Sequence, residues 1–413
     1  MKNKISQVTM KDIFTHREFL LMWSAMLLST IGTFLLLLVL AADIFTNGES
    51  SLKAGTVFAA QWILPIFLFP LIGIITSFGK INKTLLINEL LAGAISILIG
   101  FFYQSSFIGI LSLLAIRGLF EAISKTGREV AFKTYIPDEL QKKASALLES
   151  SYYLGTGIGG ILGALLVNYI DFKSIAIIDC GTFLISGICY YLLQKGPSVK
   201  PVPTKHKEWK KGITEIKDNK ILARTFFFLL LNVVLFQGLH NVARTVLPMG
   251  QLDLGVKGTQ YLQMIFCGAI TLSTFIFARY FVNDKDKGIL STLRIISTGL
   301  FAYFAVSTQN VFASFSLYFL FASMFEISFL RHKTDMRLTC HKDNIGHVSA
   351  LFLALAQGGM ILTILLFGGL TDLIGLQQST LILISLAIII SYVIHYSYKE
   401  KYSSEIIIAK EVL

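Results

Sequence analysis

The stretch Phe19–Ile44 reads FLLMWSAMLLSTIGTFLLLLVLAADI and contains a single charged residue, Asp43. A helix needs about 20 consecutive apolar residues to cross the hydrocarbon core of a bilayer, so this stretch is long enough to span one. A secretory leader has a shorter apolar region that ends at a small-residue cleavage site before a soluble body, and that arrangement is missing here. We therefore interpret Phe19–Ile44 as a first membrane span, with Asp43 near its outer end.

Eleven further apolar runs follow, and they share the length and the low charge of the first. Backbone groups in lipid must be hydrogen-bonded within the protein, which only helices and closed barrels achieve. Barrel strands would be about ten residues long and would alternate in polarity, so these runs predict helices. The predicted spans are 19–44, 56–78, 85–102, 107–123, 147–170, 175–193, 225–246, 261–281, 289–306, 311–330, 348–370 and 380–396. The sequence therefore predicts an all-α polytopic membrane protein with twelve transmembrane helices.

The composition and the charge distribution support the same class. Of the 413 residues, 54% are hydrophobic and 15% are charged, against about 25% charged in soluble domains. The formal net charge of +11 does not indicate a nucleic-acid partner, because 31 of the 36 Lys and Arg residues fall on one side of the predicted membrane. Only Lys53, Lys173 and Lys257 fall on the other side. Lys and Arg mark cytoplasmic loops, so we predict cytoplasmic termini in a multi-pass protein of a bacterial inner membrane.

A polar stretch between the sixth and seventh spans divides the chain into two predicted halves. The predicted divisions are 1–194, an N-terminal six-helix bundle; 195–224, a basic cytoplasmic linker; 225–398, a C-terminal six-helix bundle; and 399–413, a cytoplasmic tail. In the linker, Trp209, Ile213, Ile216 and Ile221 have helical spacing. They predict an amphipathic helix on the inner membrane surface.

The two halves resemble each other at matching positions. Ser145-Ala146-Leu147 opens the fifth span and Ser349-Ala350-Leu351 opens the eleventh, at an offset of 204 residues. Gly155 and Gly359 share this offset. The sequence therefore predicts two six-helix pseudo-repeats, an organisation that places a substrate site near the midplane between the halves.

Ionisable residues inside spans are costly and are candidates for function. Arg117 lies near the middle of the fourth span and Glu121 follows one helical turn later, so the two are predicted to form an intrahelical ion pair. Glu149 begins the fifth span at a comparable depth and completes a predicted cluster. One interpretation is a proton relay through Glu121 or Glu149. The other is a structural ion pair between adjacent helices.

The seventh span carries a predicted polar face. Gln237, His240, Asn241 and Arg244 share one side of a helix at about 100° per residue. A polar face within a span lines a cavity or contacts a partner helix, and both interpretations stay open. In the first, His240 titrates near neutral pH and Arg244 binds a carboxylate or a similar anion.

Other residues are predicted to have packing or interfacial roles. Gly155, Gly159 and Gly163 form a ridge of small residues that lets a neighbouring helix approach closely. Glu89 and Glu326 lie near the predicted cytoplasmic ends of their spans and are interpreted as interfacial. The four cysteines have neither disulfide nor metal-ligand spacing, so no metal or cofactor is predicted.

Several motifs together resemble one family. They are His16–Trp23 (HREFLLMW) at the first span, Arg117 in the fourth, Ile136–Leu140 (IPDEL) before the fifth, Ile178–Ser186 (IDCGTFLIS) in the sixth and Trp209–Leu222 in the linker. They resemble the major facilitator superfamily, and more narrowly its branch with the enterobactin exporter and the macrolide efflux proteins. The resemblance covers nearly the whole chain. It implies that Arg117 is the motif arginine of the fourth helix and that Asp179 caps or ties helices.

The chain departs from this family's pattern at three places. After the second span, Gly73 is followed by Ser77 and Phe78 where the family has an acidic residue and an arginine. The Arg-Gly-Arg that precedes the family's eleventh helix reads Ile345-Gly346-His347 here, and the fifth span has no proline. The resemblance therefore does not imply the family's usual gating pair or its usual proton antiport.

The resemblance implies a secondary transporter. The chain has no P-loop and no nucleophile–base set, so an ion or solute gradient must supply the energy and no enzymatic activity is predicted. We expect a monomer that exports a small amphipathic molecule, such as a siderophore or a drug, by alternating access with a proton or another coupling ion. Import of a siderophore or another anionic metabolite is the alternative within transport. A transporter-like receptor or assembly protein is the alternative of another class. The expected partners are a small-molecule substrate and membrane lipid, without nucleic acid.

Overall fold

The described residues of the computed structural model are 9–48, 51–77, 80–166, 169–193, 210–282 and 289–398, and their regular structure is helical throughout. The α-helices are α1 (Met10–Thr15), α2 (Arg17–Gly48), α3 (Ser51–Ser77), α4 (Ile81–Phe102), α5 (Phe107–Tyr135), α6 (Asp138–Leu166), α7 (Phe172–Tyr191), α8 (Lys210–Asp218), α9 (Lys220–Leu231), α10 (Gly238–Val246), α11 (Gly255–Ile276), α12 (Ile289–Ser307), α13 (Val311–Thr339), α14 (Ile345–Ile374) and α15 (Leu376–Ser397). Three π-helical turns lie at Asn232–Gln237, Leu247–Gln251 and Phe277–Phe281.

The predicted all-α, multi-span fold class is confirmed. Within the described residues, eleven helices are long and apolar enough to cross a membrane. The remaining predicted span, 147–170, falls largely within α6, which is long enough but is not among those eleven. Its five glycines and its Ser, Thr and Tyr residues lower the mean hydropathy of this helix. The sequence of α6 is therefore suited to packing against protein more than to facing lipid.

Two helices continue well beyond the apolar runs that predicted them. The fourth predicted span was 107–123, whereas α5 continues to Tyr135; the tenth was 311–330, whereas α13 continues to Thr339. An apolar run reports the thickness of the hydrocarbon core, not the length of the helix that crosses it. Lys125 and Arg128, which follow the end of the predicted fourth span, therefore lie on a helix, and Arg128 is buried.

The seventh predicted span is one continuous helical path with two π-helical turns. It begins at Lys220, where Asn219 caps α9 by accepting a hydrogen bond from the backbone N–H of Leu222 at 3.0 Å. Asn219 also separates α9 from α8, the helix within the predicted linker. Trp209, the rest of the linker before it and the tail 399–413 lie outside the described residues.

The chain divides into two compact units. Unit 1 is Met1–Ile213, Ala278–Val282 and Cys340–Gly358; unit 2 is Thr214–Phe277, Asn283–Thr339 and Gly359–Leu413. In unit 1, α4 packs against α5 and α7, and α3 packs against α5. In unit 2, α12 packs against α13 and α15, and α11 packs against α13. This matched order of pairing is what two copies of one six-helix arrangement produce.

The core of unit 1 has an apolar end and a polar middle. Leu35, Leu36 and Leu40 of α2 are fully buried, and they pack with Ile175 of α7 and Leu114 of α5. Between helices in a membrane, such contacts stabilise by close packing, because lipid tails are as apolar as the side chains they would replace. Toward the middle of α4, α5 and α7, this packing gives way to buried polar and charged side chains.

Candidate functional site

Arg117 of α5 forms the centre of a buried network in unit 1. Its Nη2 lies 2.8 Å from Asp179 Oδ2 of α7, and the two side chains are 1% and 0% exposed. Its Nε donates to Ser96 Oγ at 2.9 Å, and Nη2 also donates to Thr33 Oγ1 at 3.1 Å. The guanidinium carbon lies 5.1 Å from the centre of the Phe183 ring. One side chain therefore connects α2, α4, α5 and α7.

The predicted ion pair between Arg117 and Glu121 is wrong. Glu121 pairs with Lys125, one turn later on α5, at 2.8 Å, and the Lys125 ammonium lies 5.5 Å from the centre of the Tyr152 ring on α6. Arg117 instead takes its counter-ion from another helix. A Cβ at Gly32 of α2 would collide with the carboxylate of Asp179, so this glycine provides the space for the interhelical pair.

Glu149, the third member of the predicted cluster, is buried on α6. Among the described residues, it is not part of the lining of the polar cavity beside Glu121. Its neighbour Ser150 accepts a hydrogen bond from Trp23 Nε1 of α2 at 3.1 Å. The predicted cluster is thus divided, because Arg117 pairs with Asp179 and Glu121 pairs with Lys125.

A small polar cavity lies beside these pairs, entirely within unit 1. Its volume of about 10 Å³ is enough for one water molecule. Its lining consists of α2, α4, α5, α6 and α7 side chains, namely Ser29, Thr30, Thr33, Phe34, Glu89, Glu121, Ser124, Lys125, Arg128, Tyr152 and Phe183. Two acidic and two basic side chains therefore face the same small space.

Glu89 and Glu326, which were expected near the membrane interface, are both buried within the protein. Glu89 of α4 is 1% exposed, and its Oε1 accepts a hydrogen bond from Ser124 Oγ of α5 at 2.5 Å. Glu326 of α13, in unit 2, is 0% exposed and accepts a hydrogen bond from Thr274 Oγ1 at 3.2 Å. α4 begins before Glu89 and α13 continues after Glu326, in both cases toward the predicted cytoplasmic side. The position of each residue in its apolar run therefore did not predict how deeply its side chain is buried.

In unit 2, the predicted polar face follows a π-helical turn that ends at Gln237. His240 is buried, its Nδ1 lies 2.8 Å from Tyr318 Oη, and its ring stacks on Phe266 at 3.5 Å and 9°. Asn241 is partly buried and donates from Nδ2 to the Gln237 carbonyl at 2.9 Å and to Met360 Sδ at 3.5 Å. Both side chains are thus held in place by neighbouring helices.

Arg244, the last residue of this face, is partly buried on α10. Within the part of the chain that the structure describes, no ion pair or hydrogen bond of its guanidinium is present. It interacts electrostatically with the Tyr318 hydroxyl, the Cys267 thiol and the His240 ring, and none of these is a carboxylate. A partly buried cation without a counter-ion is costly in a span, and this makes Arg244 a candidate for binding an external anion.

The predicted glycine ridge faces α2. A Cβ at Gly155 would lie 2.7 Å from Thr30 Cβ, and one at Gly159 would lie 2.5 Å from the Ile31 carbonyl oxygen. At Gly163 the nearest atom would be 3.5 Å away, an ordinary contact. α6 and α2 therefore lie in close contact at Gly155 and Gly159 and are further apart at Gly163.

One close contact between helix backbones was not predicted from the sequence. A Cβ at Gly118 of α5 would overlap the backbone of Gln61 on α3. Gly118 follows Arg117 directly and belongs to no repeated small-residue pattern, so only its place beside a buried arginine could have drawn attention to it.

The altered motifs after the second span and before the eleventh meet within unit 1. Ser77 Oγ lies 3.4 Å from His347 Nε2, and a Cβ at Gly73 would lie 2.6 Å from His347 Nδ1. A Cβ at Gly346 would lie 3.0 Å from Thr76 Oγ1. A contact between Ser77 and His347 thus occupies the place where the resembled family has an acidic residue and arginines.

The described residues contain no group of three or more His, Cys, Asp or Glu side chains that could hold a metal ion. All four cysteines are free thiols.

Comparison with known proteins identifies the family. The model of the Major Facilitator Superfamily matches residues 22–330, about three quarters of the chain. No curated protein sequence matches the chain.

The chain is similar in fold to the human organic anion transporter, with 13% identity and a TM-score of 0.72 over 92% of this chain and 99% of that one. It is also similar to a bacterial homologue of the iron transporter ferroportin in an outward-facing state, with 13% identity and a TM-score of 0.71 over 92% and 99%. A third similar structure is the E. coli fucose:proton symporter, with 11% identity and a TM-score of 0.70 over 93% and 98%. These likenesses show the fold, and the family match shows that the chain belongs to the major facilitator superfamily.

Proposed function

We propose that this chain is a secondary active transporter that exports a small amphipathic anion across a bacterial inner membrane by alternating access. The observation that supports this proposal most directly is Arg244, a partly buried guanidinium without a counter-ion in the described part of unit 2. The family supplies the general activity, transport of a small molecule. The residues around Arg244 supply the argument for an anion.

The cost of an uncompensated charge is the physical basis of the proposal. Removing a guanidinium from water without a partner costs several kcal/mol, and a bound carboxylate or phenolate would offset part of this cost. Arginine binds such groups through two parallel N–H donors, which gives both affinity and orientation. Neighbouring His240 has its ring against Phe266, so it is positioned by an apolar stack and not by a carboxylate.

An amphipathic substrate fits the rest of this surrounding. The buried rings of Tyr318 and Phe266 pack against His240, so the surroundings of Arg244 combine apolar ring atoms with polar ones. A molecule with an acidic group and an aromatic or aliphatic body would match both parts. Aromatic siderophores and acidic drugs have this character, in keeping with the resemblance to the enterobactin-exporter branch.

Transport by purified protein in proteoliposomes tests the proposal. The probes are a catecholate siderophore, a macrolide and a fluorescent lipophilic cation, each offered under an imposed ion gradient. We expect the siderophore to move and Arg244→Gln to raise its KM at least tenfold, which corresponds to about 1.4 kcal/mol. Arg279→Gln is the matched control, because Arg279 is exposed. An unchanged KM in a folded Arg244→Gln protein would contradict the proposed role of the guanidinium.

Membrane vesicles of known orientation determine the direction of transport and distinguish a transporter from a receptor. Accumulation in inside-out vesicles supports export, and accumulation in right-side-out vesicles supports the alternative, import of a siderophore or another anionic metabolite. Saturable binding without flux of any probe supports the receptor alternative.

A further inference from the structure

We infer that the coupling ion of this transporter is a proton and that Glu89 of α4 is the residue that carries it. The inference rests on the proposed function, which requires an ion gradient but does not name the ion. It replaces the expectation that Glu121 or Glu149 titrates, because the structure gives Glu121 a lysine partner and leaves Glu149 outside the cavity lining.

Glu89 differs from the other acidic residues of unit 1 in its surroundings. It is 1% exposed, yet no Lys or Arg of the described residues lies within ion-pair distance. Asp179 and Glu121, by contrast, each have a cation at 2.8 Å. Burying an ionised carboxylate without a partner is far more costly than burying the neutral acid. The packing around Glu89 therefore accommodates the protonated form.

The two oxygens of Glu89 have unequal partners. Oε1 accepts the hydrogen bond from Ser124 Oγ, and Ser124 Oγ in turn accepts one from Asn88 Nδ2 at 2.7 Å. Oε2 is buried and makes no hydrogen bond of good geometry with the described residues, although the Ser186 hydroxyl of α7 lies close enough to interact with the carboxyl group. A proton on Oε2 removes the charge from this oxygen and leaves the bond at Oε1 intact. The hydroxyl and the amide thus position the carboxyl group while the other oxygen gains or loses the proton.

A route for the proton is present beside the carboxyl group. The cavity lined by Glu89 has room for one water molecule, and Ser29, Thr30 and Thr33 form its α2 wall. When Glu89 releases its proton to such a water, the remaining negative charge needs compensation. Arg128 lines the same cavity and is buried, and among the residues that the structure describes its hydrogen-bond partner is the Tyr190 hydroxyl, at 3.5 Å. It is the cation available to the ionised form.

The charged or titratable groups of the described residues that line the cavity with Glu89 or act on its charge lie on α5, α6 and α7. They are Glu121, Lys125 and Arg128 of α5, Tyr152 of α6 and Tyr190 of α7. Glu121 and Lys125 neutralise each other. Whether Glu89 is protonated or ionised is therefore set mainly by Arg128 and by solvent access to the cavity. Both change when the helices around the cavity move.

Infrared spectroscopy of the purified full-length protein tests the site without any transport. A buried carboxylic acid gives a C=O stretching band that ionised carboxylates lack, and we expect this band to titrate with pH in the wild type. Glu89→Gln should remove it, whereas Glu139→Gln, at an exposed position, should not. Ser124→Ala should move the midpoint of the titration, and Ser112→Ala, exposed on the same helix, should leave it in place. A band that is absent from the wild type, or a titrating band that loses no intensity in Glu89→Gln, overturns the inference.

Proteoliposome transport then separates this inference from the proposed function. We expect Glu89→Gln to retain exchange of the siderophore probe at equal concentrations, because no net proton movement is needed. Uphill accumulation driven by a pH gradient should fall to the level of protein-free liposomes. Retained uphill accumulation in Glu89→Gln overturns the proton role while leaving the transporter intact. If no probe moves in any variant, the proposed function fails and the infrared titration still decides the proton site.

Discussion

Replacing Gly159 with alanine should loosen the contact between α6 and α2. The added Cβ would lie 2.5 Å from the Ile31 carbonyl oxygen, 3.1 Å from Phe34 Cβ and 3.2 Å from the Leu35 backbone nitrogen. A carbon–oxygen contact needs about 3.3 to 3.6 Å, so α2 has to move away by roughly 0.8 to 1.1 Å. Two of the three obstructing atoms belong to the backbone, so no side-chain rotation relieves the overlap.

The size of the effect follows from the dispersion energy lost. A gap of 0.5 to 1 Å forfeits about a quarter to a half of a contact worth roughly 0.1 to 0.2 kcal/mol. For about 40 facing atom pairs, the number that one buried leucine makes, the loss is on the order of 1 to 4 kcal/mol. Alanine also gains about 0.8 to 1.0 kcal/mol over glycine in helix propensity. The matched control cancels this gain.

Gly157→Ala is that control, because a Cβ at Gly157 would meet nothing within 4 Å on the same helix. Unfolding of the purified protein in mixed micelles, titrated with SDS and followed by tryptophan fluorescence, gives the free energy of unfolding of each variant. We expect Gly159→Ala to be less stable than Gly157→Ala by about 1 to 4 kcal/mol. Gly163→Ala should match the control, since its nearest contact would be 3.5 Å. Equal stability of Gly159→Ala and Gly157→Ala would refute the close approach of α2.

Two further substitutions test the buried polar groups. Asp179→Asn leaves the Arg117 guanidinium buried without its counter-ion, so thermal denaturation should show a free energy of unfolding lower by about 3 to 5 kcal/mol. Asp372→Asn, the control at an exposed position, should change this free energy by less than about 0.5 kcal/mol. Similar values for the two variants would argue against a structural ion pair. Tyr318→Phe removes the hydroxyl that bonds to His240, so the free energy of unfolding should fall by about 1 to 3 kcal/mol, and an unchanged value in the same measurement would indicate that water replaces the hydroxyl.

The fold class followed from the sequence because the bilayer imposes one requirement on every span. Apolar runs of sufficient length identify the crossing segments, whatever the rest of the protein does. The ends of the helices did not follow, since a helix can continue beyond the hydrocarbon core, as α5 does through Lys125 and Arg128. The mean hydropathy of α6 is also too low to identify it as a span, because its glycines serve the contact with α2.

The candidate site followed only in part, because its pairings depend on how helices are rotated against each other. Arg117 and Asp179 were both recognised, but the sequence offered Glu121 as a nearer partner for Arg117. Only the facing of α5 and α7 decides between the two carboxylates. Glu89 was placed at the interface because it lies at the start of an apolar run, whereas α4 begins at Ile81, about two turns earlier.

The buried pair of Arg117 and Asp179 also has a consequence for biosynthesis. The two residues are 62 positions apart, so at about 5 to 20 residues per second the arginine precedes its partner by roughly 3 to 12 s. A lone arginine at the centre of an inserting helix costs about 2.5 to 3.5 kcal/mol. Thr33 and Ser96, which also bond to Arg117, are made before it. We expect ribosome-stalled chains that end before Asp179 to retain α5 in the membrane, and Thr33→Val with Ser96→Ala to release it; retention in that double variant would exclude the role. The two hydroxyls would then act as the arginine's temporary partners during synthesis and remain in the finished protein as part of its network.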